Sequence, residues 1–180
     1  GTTARAVVEE HQARGSSLNA PGDLLDVTLK LVEALERLGA EYAIGGAIAQ
    51  NYWGTVRATQ DIDLLVSLPR IRFEELAAAL TDAGLTLADG NPVTVESIVA
   101  QELDRHLFVI YHGSVKVEVF LPFLPLQLSI LRRAVMLPLG PRQVPITTAE
   151  DLILLKMAFH REKDLRDVRG ILWSQKGKLD

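Results

Sequence analysis

The sequence predicts an α+β fold, a small mixed β-sheet with flanking helices and a helical C-terminal region, on three observations. The 180 residues are 48% hydrophobic, enough for one domain with a real core and too few for two ordinary ones. Strand-sized apolar runs alternate with segments of helical period as far as about residue 125, and glycines punctuate the exchanges. Beyond the prolines at 122 and 125 only helical periods are read.

Residues 1–21 read as an N-terminal arm or extra helix, and 22–180 as the domain, with a sheet-bearing core over about 22–125 and a helical part over about 126–180. From Asp23 the positions Leu24, Val27, Leu31, Val32, Leu35 and Leu38 fit an amphipathic helix ended by Gly39. Tyr42, Ala43 and Ile44 form a short strand closed by Gly45-Gly46, and Ala47 to Trp53 is a helix stopped by Gly54. Along Arg57 to Val66 side chains alternate across a strand, so Ile62, Leu64 and Val66 share one face while Asp61 and Asp63 share the other. Ile71 to Ala83 is a further helix. His106–Tyr111 and Val115–Leu121 make a hairpin about His112-Gly113-Ser114, with Glu118 in mid-strand on the face opposite its valines. Helices follow over Leu126–Val135, Thr148–His160 and Asp164–Trp173, with Thr148 and Asp151 at capping-box spacing. The near-continuous apolar positions Leu121, Phe123, Leu124 and Leu126 are expected in the core.

Composition excludes several chemistries. Without cysteine there are no disulfides, thiolate metal sites, iron–sulfur clusters or thiol nucleophile. His106, His112 and His160 lack paired ligand spacing and His11 lies in the arm, which argues against zinc. Neither a Gly-x-Gly-x-x-Gly nor a Walker-type loop occurs, and no serine has a triad-like company. A net charge of -4 gives no global pull on nucleic acid. Basic residues do cluster late, at Arg132, Arg133, Arg142, Lys156, Arg161, Lys163, Arg166 and Arg169, where a solvated helix face is the alternative to a polyanion site. No apolar run reaches membrane-spanning length and residues 1–20 hold no signal-peptide core, so no membrane partner and a cytoplasmic location are expected.

The carboxylates carry the chemistry. Asp61 and Asp63, side by side on an apolar strand, repel each other unless a cation compensates. A hard divalent ion, Mg²⁺ or Mn²⁺, takes carboxylate oxygens together with substrate phosphates. An ordinary solvent-facing strand edge is the alternative. Gly45 and Gly46 end a strand and open a helix, where free N–H groups and the positive end of the helix dipole favour a phosphate; a tight turn needing positive φ is the alternative. Glu118 sits amid valines, where an unpaired charge is costly, and either faces the metal site or pairs with Lys116 or an arginine. Lys156, inside the apolar stretch Leu152–Phe159, either snorkels outward or aims at an anion.

The order Gly45-Gly46, then Arg57-x-Thr59-x-Asp61-Ile62-Asp63, then Glu118, resembles the DNA polymerase β-type nucleotidyltransferase superfamily. The stretch from Ala149 through Lys156 and Arg161 to Lys163-Asp164-x-x-Asp167 is similar to the minimal bacterial nucleotidyltransferases that include abortive-infection-type toxins. The resemblance covers roughly Tyr42 to Leu172 and departs from its common form at Gly46, often serine, and Glu118, often aspartate. It implies transfer of a nucleotidyl group from a nucleoside triphosphate to an acceptor hydroxyl, with release of pyrophosphate. Asp61 and Asp63 would bind the metal, Glu118 would join them or act as base, and Gly45 and Gly46 would hold the triphosphate. Arg57, Thr59, Lys156 and Asp167, less surely Asp164, would line the nucleotide. The acceptor stays open among RNA, protein and small molecule, and an antitoxin or other protein partner is a further expectation. Two rivals remain: a catalytically weak nucleotide-binding or toxin–antitoxin module on the same fold, and a nucleotide-sugar glycosyltransferase using Asp61-x-Asp63.

Overall fold

The computed structural model describes residues 22–159 and 162–179; residues 1–21, expected to be an arm or extra helix and holding His11, together with His160, Arg161 and the side chain of Lys163, lie outside the described residues. Leu24, Val27, Leu31, Val32 and Leu35 recur at helical spacing and are at most 3% exposed, which makes helix α1 (Gly22–Arg37) one wall of the core. The chain continues through β1 (Glu41–Ile44), α2 (Gly46–Trp53), β2 (Asp61–Ser67) and a 3₁₀ turn (Arg70–Arg72) that leads into α3 (Phe73–Asp82). Then come α4 (Val95–Arg105), β3 (Leu107–His112), β4 (Val115–Phe120), α5 (Pro125–Arg133), β5 (Val135–Leu139), β6 (Arg142–Ile146), α6 (Ala149–Phe159) and α7 (Glu162–Ser174).

The strands form one mixed sheet in the order β3-β4-β2-β1-β6-β5. β2 is central: it runs antiparallel to β1 and parallel to β4. Its Ile62, Leu64 and Val66 are buried with Val117 and Val119 of β4 and Ile44 of β1, and α1 packs on all three strands. α2 packs on β2 and also on α6 and α7, so it ties the sheet to the C-terminal helices. The mixed sheet with flanking helices is the predicted class.

Four local expectations change. Residues 135–146, read as lying in the helical part, form the β5–β6 hairpin; the helix expected to reach Val135 stops at Arg133, because Val135 pairs with Ile146. That hairpin docks on the sheet through the parallel pair Ile44 and Ile146, extended by the Thr147 N–H donating to the Ile44 carbonyl at 2.9 Å. Helix α4 had no counterpart in the sequence reading. It starts at Thr94, whose hydroxyl accepts from the Ser97 N–H at 3.2 Å while the Ser97 hydroxyl accepts from the Thr94 N–H at 3.0 Å. At Thr148 the cap is half built: its hydroxyl accepts from the Asp151 N–H at 3.2 Å, but the Asp151 carboxylate turns to Arg133. Finally, Leu121 is buried, whereas Phe123 and Leu124 on the connection into α5 and Leu126 in its first turn are exposed, with the Phe123 ring stacked 3.9 Å from that of His106.

Candidate active site

Alternation along β2 and the parallel register of β4 assemble the site. Asp63 stands opposite Glu118 and Asp61 opposite Lys116, so four charged side chains occupy neighbouring places on one face of two adjacent strands. The Lys116 ammonium lies 3.0 Å from Glu118 Oε1 and 3.9 Å from Asp61 Oδ2. Burial pushes the Asp63 carboxyl up to about 7 from its ordinary 3.8; the Glu118 charge, a hydrogen bond with Glu118 and the Asp61 charge push the same way, and Lys116 opposes them. The hydrogen bond to Glu118 holds Lys116 above its ordinary range. Glu118 thus stands beside Asp63 and pairs with Lys116, the second of the two arrangements expected from the sequence.

The glycine pair closes this face from the β1 side. The Gly45 N–H donates to the Asp63 carbonyl at 2.8 Å, and Gly46, at φ +53°, opens α2 against the Asp63 carboxylate. A β-carbon on Gly46 would lie 1.7 Å from Asp63 Oδ2, which only glycine avoids. The N–H groups of the first turn of α2 have no partner within the helix, and the positive end of its dipole lies at Gly46 beside the acids. Thr59, two residues ahead, accepts from the Asp61 N–H at 3.1 Å and so fixes the start of β2.

A second cluster forms one turn further along α2. Asn51 holds the Arg57 main chain at both ends, accepting from its N–H at 2.9 Å and donating to its carbonyl at 3.0 Å. Arg57 Nη2 stands 3.5 Å from Asp167 Oδ2. Lys156 Nζ lies 2.6 Å from the same oxygen and 3.9 Å from Asp164 Oδ1. Gln50 Nε2 reaches the Asp167 carbonyl at 3.3 Å. Lys156 is 8% exposed, so it does not snorkel into water; it is an inward cation held by α7.

The residues singled out in the sequence thus fall into two groups. Gly45, Gly46, Thr59, Asp61, Asp63 and Glu118 surround the β2–β4 face, while Arg57, Lys156, Asp164 and Asp167 meet between α2, α6 and α7. Sequence reasoning considered Lys116 only as a partner for Glu118, although its place two residues before Glu118 already put it on the acid face. Gln50 and Asn51 were passed over; polar residues in an otherwise apolar eight-residue helix were their signal.

Clustered carboxylates, with Asp63 among them held protonated above its ordinary range, are the donor chemistry of a hard divalent cation, and the Lys116 ammonium already provides positive charge beside them. Among the described residues no three Asp, Glu or His side chains are gathered into a ready-made metal cage.

The chain is a nucleotidyltransferase by its family. The family model for aminoglycoside-2''-adenylyltransferase matches residues 27–171, and the chain belongs to that family. No curated protein matches. Three solved structures share the fold. The solution structure of the antibiotic-resistance factor ANT(2'')-Ia is 17% identical, with TM-score 0.58, over 86% of this chain and 85% of that one. A crystal structure of ANT(2'')-Ia in complex with adenylyl-2''-tobramycin is 19% identical, with TM-score 0.56, over 84% and 90%. An antigenic nucleotidyltransferase-like protein from Paracoccidioides brasiliensis is 18% identical, with TM-score 0.51, over 85% and 76%. No described helix is long and apolar enough to cross a membrane.

Proposed function

We propose that this nucleotidyltransferase moves the adenylyl group of ATP to a hydroxyl of a small, aminoglycoside-class acceptor in a reaction that depends on Mg²⁺ or Mn²⁺. The observation that carries the reading is the Asp61, Asp63 and Glu118 face set directly against the opening of α2 at Gly46. The family supports adenylyl transfer to a small molecule, and the net charge of -4 suits a polycationic acceptor better than RNA.

Asp61 and Asp63 would hold the metal, with Glu118 as third ligand or as the base next to it. The ion would neutralise phosphate charge and align the triphosphate. Gly45 and Gly46 admit the phosphates to the N–H groups of α2, Thr59 fixes Asp61, and Arg57 and Lys156 supply positive charge that Asp167 aims. The acceptor oxygen attacks the α-phosphorus, forming the new P–O bond. The bond from that phosphorus to the bridging oxygen breaks, pyrophosphate departs, and the hydroxyl proton passes to a carboxylate of the site, Glu118 being the third acid.

The test is incubation with ATP, Mg²⁺ and a panel of aminoglycosides, followed by mass spectrometry of the acceptor and an assay of pyrophosphate. A mass gain of one adenylyl group that vanishes in Asp63→Asn supports the reading. ATP binding with no modified acceptor across aminoglycosides, or equal activity in Asp63→Asn, would overturn it.

A further inference from the structure

Lys116 stands among the three acids proposed above to hold the metal. The register that puts Asp63 beside Glu118 also puts Lys116 beside Asp61, and alternation puts Lys116 and Glu118 on one face of β4. Its ammonium therefore touches a carboxylate on each strand, at 3.0 Å on Glu118 and 3.9 Å on Asp61. The side chain is about one-third exposed, so its flexible stem can carry the charge out to water without disturbing buried atoms.

We infer that Lys116 is an internal counter-ion of the metal site, holding Glu118 and Asp61 while no divalent cation is bound and yielding them when one arrives. Two physical consequences follow. Without metal, the ammonium offsets repulsion among carboxylates that would otherwise strain the centre of the sheet. With metal, the same charge competes for the same oxygens, so Lys116 weakens metal binding in the absence of nucleotide. The metal then binds firmly only when triphosphate oxygens complete its coordination, since Mg²⁺ is held by few carboxylates together with substrate phosphates. Lys116 is thus a positioning residue that couples metal retention to substrate. This rests on the proposed reading of Asp61, Asp63 and Glu118 as metal ligands.

The experiment titrates Mn²⁺ by calorimetry, without nucleotide, into the wild-type protein, Lys116→Met and Lys116→Arg, and records thermal midpoints in chelator and in Mn²⁺. Methionine keeps most of the stem and removes the charge; arginine keeps the charge. The expected result is Mn²⁺ affinity in Lys116→Met higher by on the order of tenfold, from loss of a cation at hydrogen-bond distance partly screened by water. Lys116→Arg should stay within roughly threefold of wild type, a residual set by side-chain geometry rather than charge. The Lys116→Met midpoint should fall in chelator and recover in Mn²⁺. Wild-type binding that is unchanged or weaker in Lys116→Met overturns this inference alone. Absence of Mn²⁺ binding in all three proteins, or wild-type binding that survives Asp63→Asn, overturns the metal reading beneath it.

Discussion

Gly46 and Asp63 occupy space that two ordinary side chains could not share: a β-carbon on residue 46 would stand 1.7 Å from the aspartate Oδ2. The neighbouring glycine is under no such constraint, since a β-carbon on Gly45 would meet Thr147 Oγ1 at an ordinary 3.7 Å. Gly46→Ala should therefore lose about 1–2 kcal/mol to its positive φ alone and should displace Asp63. The Mg²⁺-dependent stabilisation by ATP should disappear with it. Gly45→Ala should keep that stabilisation. Thermal unfolding with and without Mg·ATP separates the two; equal behaviour would remove the steric role of Gly46.

Asp63 makes metal-free stability depend on pH. Its folded-state proton affinity is raised, from 3.8 to about 7, so below the lower value both states are protonated and its contribution is fully present. As pH rises through this window the unfolded chain ionises first and the native state is penalised, by no more than about 1.4 kcal/mol per pH unit and by less where water screens the group. In chelator, the stability advantage of Asp63→Asn over wild type should grow from pH 4 to pH 7 and level off above. Parallel pH profiles for the two proteins would show that Asp63 does not titrate in this range. Metal binding at pH 6 should release protons, seen as a buffer-dependent heat.

Lys156 and Asp167 are largely buried partners at 2.6 Å. Removing either one leaves a buried charge, a loss of roughly 3–5 kcal/mol in comparable pairs, moderated here by Arg57 and Asp164. Lys156→Met and Asp167→Leu should each destabilise strongly, and the double variant should cost less than their sum, by about 1–3 kcal/mol. Denaturant unfolding of all four proteins closes the cycle. Additive losses would mean that the two side chains do not act as a unit.

Much of the site was legible because its logic is local alternation. Asp61, Asp63 and Glu118 are fixed to one face by the period of a strand, and Gly45-Gly46 by the need to turn at its end. The hairpin of β5 and β6 was not legible. Pro138 and Pro145 lower the strand reading of Val135–Ile146, yet Pro138 lies on β5 at the sheet edge, where a missing N–H can face outward, and β6 meets β1 only at Ile146, beyond Pro145. Helix α4 was hidden for another reason: its cap uses Ser97 where glutamate or glutamine is the usual signal, and its buried side includes Glu102, made tolerable by Arg70 at hydrogen-bond distance. Tertiary partners, absent from any local window, decided both.

Arg133 and Asp151 join α5 to α6 asymmetrically, since the arginine side chain is half exposed and the aspartate is 1% exposed. Arg133→Met strands a buried carboxylate and should destabilise more than the reverse change at Asp151. Asp151→Asn releases an arginine that water can solvate and should cost about 1–2 kcal/mol. Thermal melts of the two variants decide the order; the reverse order would mean that the Thr148 cap, rather than the ion pair, sets the energetics of this corner.

The neighbour that β2 needs on its acid-bearing side arrives late. Asp63 meets Glu118 only when β4, with β3 as its hairpin partner, adds to the edge of β2. Pairing across such sequence separation is slow, because the loop between must be closed before any contact rewards it. On a ribosome the segment through β2 emerges with one flank unpaired, an open edge prone to association with other chains. Assembly of the acid face therefore waits on that docking, and the recovery of activity after denaturation would clock it.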